Sequence, residues 1–212
     1  TIQGTTGVAA NITVNPTGNN EAFHIRQPNI TIQHLTINNG GANGDGIEMQ
    51  AGNNAVISNV NLLNSNRIGI YVNGSTGVTL SNVTISNMGR EGIFANAAST
   101  GLTINSADGS KPSTSINTTT RECIEIDAAN VNINDVTASN CNNVGLRIDG
   151  ASASLDNIVV NNTNSIGILL NGLAPLLNQD DTVNNSITIS NTAREGMRST
   201  NNADNAIIDN IT

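Results

Sequence analysis

Five side chains recur at one position of a repeated phrase: Glu48, Tyr71, Phe94, Glu125 and Arg147, spaced by 23, 23, 31 and 22 residues. Tyr71 and Phe94 sit at the centre of the series with an acid on either side. An exposed aromatic pair offers faces on which a sugar ring can stack, and carboxylates accept bonds from its hydroxyls. The same pair can equally be a short ladder that stabilises neighbouring strands. His24 leads the series, and Leu169 and Arg198 close it.

A second charged set precedes the phrase: Asp45, Arg67, Arg90-Glu91, Arg121-Glu122 and Arg194-Glu195. If each pair lies on successive coils, Glu91 and Glu122 fall ~5 Å apart, the carboxylate separation of a retaining glycosidase. The alternative is that stacked Arg/Glu pairs relieve like-charge repulsion along a solenoid edge. Repetition favours the alternative, because an active site is singular. Glu48 and Glu125 would stand three rungs, or ~14 Å, apart, too far to act on one glycosidic bond. Glu125 and Arg147 are neighbours and are expected to form an ion pair.

Other chemistry is sparse. No metal-ligand motif, phosphate-cradling glycine loop or nucleophile elbow is present, so no cofactor and no metal site is expected. His24 and His34 are the only histidines, and Lys111 is the only lysine. The formal charge of −8 argues against nucleic acid and against anionic membrane surfaces, and no apolar run suggests membrane insertion. Cys123 and Cys141 are too few for a disulfide framework. They begin and end one coil and could pair across the turn between coils, provided their Cα atoms come within ~7 Å.

These residues need a scaffold, and the repeat supplies it. The phrase runs Gly46-Ile47-Glu48-Met49, Gly69-Ile70-Tyr71-Val72, Gly92-Ile93-Phe94-Ala95, Cys123-Ile124-Glu125-Ile126, Gly145-Leu146-Arg147-Ile148, Gly167-Ile168-Leu169-Leu170 and Gly196-Met197-Arg198-Ser199. A weaker copy is Ala22-Phe23-His24-Ile25. Between copies lie two further short strands of period two, as in Val78-Thr79-Leu80-Ser81-Asn82-Val83-Thr84-Ile85, split by a two-residue turn. Each coil of about 22–23 residues therefore has three strands, and three parallel sheets are expected. Two long steps mark insertions near 105–113 and 178–185.

Three Asn-rich columns follow from the same period. One holds His34, Asn59, Asn82, Asp135, Asn157 and Asn210; a second holds Asn64, Asn87, Asn140, Asn162 and Asn191; a third holds Asn73, Asn96, Asp127, Asp149 and Asn171. Stacked amides both donate and accept, and Asn tolerates the left-handed backbone of a tight corner. Aromatics make up only 1% of the chain. That suits a solenoid, in which each interior residue stacks on its own copy.

Three strands per coil, a two-residue second turn and an Asn ladder at that turn resemble the pectate-lyase-like right-handed parallel β-helix superfamily. The resemblance implies an all-β fold over residues 1–212 as a single domain. It also implies a choice of functions, because the superfamily holds polysaccharide lyases and hydrolases, epimerases, tailspikes and passenger domains of secreted surface proteins. The hydrolase set of aspartates with a His is not found here. The nearest match to the lyase set is Arg147 with Glu125, Asp127 and Asp149. The expected function is a non-catalytic segment of a secreted or surface-exposed protein, adhesin-like, with a carbohydrate or host-surface ligand and an extracellular location. The alternative is a polysaccharide lyase or glycoside hydrolase working on the first-strand face. Ile207–Thr212 reads as a strand that stops mid-coil, so the chain is expected to be a piece of a longer protein.

Overall fold

The computed structural model describes residues 1–4, 12–39, 43–106, 114–172 and 187–200, together with the backbone of Leu176–Leu177. Among them every regular element is a strand, and every strand pairing is parallel. Most of insertion 105–113, all of insertion 178–185 and Asn210 lie outside the described residues.

The first strands form one sheet of eight: Phe23–Ile25, Ile47–Gln50, Ile70–Asn73, Ile93–Ala95, Ile124–Ile126, Leu146–Ile148, Ile168–Leu170 and Met197–Ser199. The second and third strands were expected to make two further sheets. They instead remain one hydrogen-bonded ladder of 11 strands, bent in the middle of each coil. In Val56–Leu63 and Thr79–Met88 the pairing runs through Ser58↔Ser81, skips Asn59 and Asn82, and resumes at Val60↔Val83. One residue in left-handed backbone turns the chain without cutting the ladder.

That bend is where the first Asn column lies. His34, Asn59, Asn82, Asp135 and Asn157 have φ of 55°, 51°, 50°, 55° and 47°. A second left-handed column closes the third strand: Asn64, Asn87, Thr118, Asn140, Asn162 and Asn191. A third precedes the second strand: Asn29, Asn54, Gly77, Gly101, Asn130 and Ser152. The amides also bond along the columns, Asn82 donating to Asn59 at 3.3 Å and Asn87 to Asn64 at 3.1 Å. Asn59, Asn82 and Asn157 are half-buried at the rim of the core, because aliphatic columns fill the interior on both sides of them.

Those columns are what the alternation dictates. Ile47, Ile70, Ile93, Ile124, Leu146 and Ile168 stack on one face, and Ile32, Ile57, Leu80, Ile104, Ile133 and Leu155 on another, all without solvent exposure. The ladder is interrupted where the long steps fall. Thr103–Asn105 pairs with the second limb of its neighbours and Thr114–Thr119 with the third. Buried Thr114 takes the place of Val136 in its column, and its hydroxyl accepts from the Val83 amide and donates to the Asn105 carbonyl.

Candidate functional site

The first-strand sheet places the outward series in register. His24 pairs with Glu48, Glu48 with Tyr71, Tyr71 with Phe94, Phe94 with Glu125, Glu125 with Arg147, and Arg147 with Leu169. All five candidates, Glu48, Tyr71, Phe94, Glu125 and Arg147, thus occupy successive rungs of one face.

Their chemistry is largely committed to one another. Tyr71 and Phe94 stack with centroids 5.2 Å apart and planes 6° from parallel. Their inner faces are covered by each other, which leaves edges and two end faces for any ligand. Asn96 donates to the Tyr71 hydroxyl at 3.3 Å and to Asn73 at 2.7 Å, and Asn73 donates to Glu48 at 2.8 Å. Arg147 meets Glu125 at 3.2 Å and holds Asp149 through two nitrogens.

The charged set before the phrase is arranged differently from an exposed edge. Backbone bonds from Gly46 to Ile68, Gly69 to Glu91, Gly92 to Glu122, Cys123 to Val144, Gly145 to Ile166 and Gly167 to Glu195 define one column. Its aliphatic members Ile68, Val144 and Ile166 are buried, and Glu91 and Glu122 are buried with them, at 0% and 2% exposure. The arginines lie above them. Arg121 contacts Glu91 at 2.8 Å and Glu122 at 3.7 Å, and Arg90 contacts Glu91 at 3.4 Å. Asn143 donates to Glu122 at 2.7 Å. Glu91 and Glu122 are therefore buried carboxylates under a cationic lid, whereas the Glu195 side chain in the same column is 42% exposed.

Oxygens of Glu91, Glu122 and Glu125 come within 4.8 Å of one another. Burial, and then the charges of Glu122, Glu91 and Asp127, push the Glu125 carboxyl up to about 7 against the opposing pull of Arg147. Asp127 is raised by burial and by Asp149, again against Arg147. Asp45 is raised by burial, with Glu48 and Glu21 adding to the effect. Its partners are the Ile68 amide at 3.1 Å and Arg67 at 3.4 Å.

Cys123 and Cys141 are joined by a disulfide, with Cα atoms 5.4 Å apart. The bridge ties the start of one coil to its end.

Two features lie outside the sequence-based reading. Among the described residues, two concavities open along the amide column that ends the third strand. One is an open trough of about 770 Å³ lined by Asn38, Asn64, Asn87 and Thr118 among others. The spacing of those Asn residues was legible, but the trough depends on how the turns beside them splay. The second is a cluster of Glu21, His24 and Glu48, in which one ligand atom from each lies within 4.8 Å of the others. Glu21 stands outside the recurring phrase, so the period does not point to it.

The architecture has known counterparts. The periplasmic alginate epimerase AlgG, in a double mutant, superposes with a TM-score of 0.69 at 9% identity over 94% of this chain and 50% of its own. A protein titled Geobacillus virus E2 ORF18 gives 0.60 at 7% identity over 89% of this chain and 46% of its own. Endopolygalacturonase I from Stereum purpureum, complexed with two galacturonate, gives 0.52 at 14% identity over 93% and 69%. The chain thus spans about half the length of the first two, and at these identities the likeness is one of fold. No curated protein matches the sequence. The sequence model of the right handed beta helix region matches residues 2–111. That stretch is more than half of the 212 residues, and the strands beyond it continue the same parallel ladder, so the chain belongs to the right-handed β-helix family.

Proposed function

We propose that this chain is a non-catalytic β-helix segment of a secreted or surface-exposed protein, with weak carbohydrate contact along the first-strand face. One observation carries the reading. The pair of acids at glycosidase-like proximity, Glu91 and Glu122, is sealed from solvent under Arg90 and Arg121. A carboxyl that cannot touch a glycosidic oxygen can neither protonate nor attack it. The disulfide and the acidic, lysine-poor composition suit an oxidising extracellular setting. Tyr71 and Phe94 offer a sugar only edges and end faces, so any affinity is low.

A polysaccharide-processing enzyme is the second reading, favoured by Glu125. A carboxyl held at about 7 beside an arginine has the pKa of a working general acid. The other acid of the outward series, Glu48, is three rungs away, ~14 Å, too far to share a glycosidic bond with it.

A screen of neutral and acidic polysaccharides with the intact chain separates the two. The expected result is no turnover, with weak binding that falls in Tyr71→Ala. Turnover that disappears in Glu125→Gln would overturn the non-catalytic reading.

A further inference from the structure

We propose that Glu21, His24 and Glu48 form a binding site for a divalent first-row transition metal of the zinc class at the head of the first-strand face. One imidazole nitrogen and one oxygen from each carboxylate lie within 4.8 Å of one another. His24 Nδ1 stands 3.8 Å from Glu21, and Nε2 stands 3.8 Å from Glu48. Tetrahedral zinc with bonds of about 2.0–2.2 Å sets its ligand atoms about 3.4 Å apart. Glu21 and Glu48 flank opposite ring nitrogens and one ion takes a single nitrogen, so ligation through Nε2 beside Glu48 requires the Glu21 carboxylate to swing round from the Nδ1 side.

Backbone placement brings the three groups within reach of one another. His24 and Glu48 are register partners on adjacent first strands, and Glu21 lies three residues before His24. Glu48 is oriented from behind, because Asn73 on the next rung donates to its Oε1 and leaves Oε2 facing His24. Such outer-shell bonds fix a ligating carboxylate before the ion arrives. The three side chains are each partly covered, so the ion would be reached from solvent yet partly shielded from it.

The donor set selects the ion. Two carboxylates supply a charge of −2 against the ion's +2, and a neutral imidazole nitrogen suits zinc or its first-row neighbours. Calcium and magnesium prefer a shell of oxygens alone. Three protein ligands leave a coordination position open. The acids Glu91, Glu122 and Glu125 are already neutralised in part by Arg90, Arg121 and Arg147, and Glu91 and Glu122 are sealed.

One group opposes the ion. Arg26 Nε donates to His24 Nε2 at 3.1 Å, and this exposed side chain must swing away for Nε2 to ligate. The opposition gives the test a second direction. Zinc chloride titrated calorimetrically into the disulfide-intact chain should bind at one equivalent and raise the melting temperature. His24→Ala should weaken binding at least tenfold while the circular dichroism spectrum stays that of the parent. Glu48→Gln should weaken it in the same way, and Arg26→Gln should tighten it several-fold. Unchanged zinc affinity in His24→Ala would overturn the site. An equal response to magnesium would also overturn it, since that would mark a diffuse acidic surface. Because the readouts are stoichiometry and melting temperature, failure here leaves the non-catalytic reading untouched.

Discussion

Filling the space beside the disulfide with one branched side chain should destabilise the protein, yet the same side chain should stabilise it once the cysteines are gone. The phrase opens with glycine in every clear copy except one. A Cβ at Gly145 would come within 2.3 Å of Val160 and 2.7 Å of the Gly167 carbonyl; at Gly92 it would meet Ile116 at 2.3 Å. The branched residue on the third strand of the same coil occupies the volume a side chain would need. In the disulfide coil the glycine is replaced by Cys123, and the branched residue, in register with Ile116 and Val160, is Ala138. The third member of the set is Cys141, in register with Thr119 and Thr163. Cys123, Ala138 and Cys141 are thus one coordinated exchange for Gly145, Val160 and Thr163.

In the native protein Ala138→Val should overpack this corner and cost about 1–3 kcal/mol. In a Cys123→Gly/Cys141→Thr background it should fill a void, and two added buried methyl groups should return about 1.5 kcal/mol. The coupling between the two changes is therefore about 2.5–4.5 kcal/mol. Removing the bridge, whose cysteines are 18 residues apart, should by itself cost about 3 kcal/mol. Urea unfolding of the four proteins, with the bridge kept oxidised where it exists, closes the cycle. If Ala138→Val costs the same in both backgrounds, the exchange is coincidental and the volume argument fails.

Two further outcomes follow from the columns and the charges. Glu125 has its carboxyl raised from 4.5 to about 7 in the folded protein, so the native state holds a proton that the unfolded chain gives up earlier. Its contribution is intact below about pH 4.5, declines as pH rises towards 7, and amounts to about 3 kcal/mol lost on the plateau above. Urea midpoints at pH 5 and pH 8 should differ in the parent and converge in Glu125→Gln; an equal pH dependence in both would contradict the assignment. Asn82→Leu should cost about 1–3 kcal/mol, because it puts a branched residue at φ 50° and removes the amide bonded to Asn59. An unchanged unfolding midpoint would show that the column does not support the bend.

The period made most of this fold legible. Once Ile70, Ile93 and Ile124 are recognised as copies, strand identity, inward faces and the register of Glu48 through Arg147 all follow, because a solenoid repeats its geometry with its sequence. Two things do not repeat in type and stayed hidden. The left-handed column of Asn29, Asn54, Gly77, Gly101, Asn130 and Ser152 mixes three kinds of residue that share only a tolerance for positive φ or a turn. The burial of Glu91 and Glu122 was obscured because their neighbours in the column, Ile68 and Val144, are not charged and so did not register as the same position. Sequence spacing put these two acids at the right distance from each other and on the wrong side of the surface.

Departures from the repeat are where function has to be sought in such a chain, and most departures here are balanced nearby. The bulk of Cys123 is matched by Ala138, the buried charges of Glu91 and Glu122 by Arg90 and Arg121, and the broken coil after Asn105 by the hydroxyl of Thr114. A balanced departure preserves the solenoid and needs no ligand to account for it. The head of the first-strand face is different. Glu21, His24 and Glu48 gather two acids around one imidazole, and the one cation bonded to that imidazole, Arg26, is an exposed side chain free to leave. The strand register sets His24 beside Glu48, and Glu21 joins them from outside the recurring phrase. In a scaffold that balances most of its irregularities, this position offers an ion from solution two carboxylates and an imidazole to neutralise and ligate.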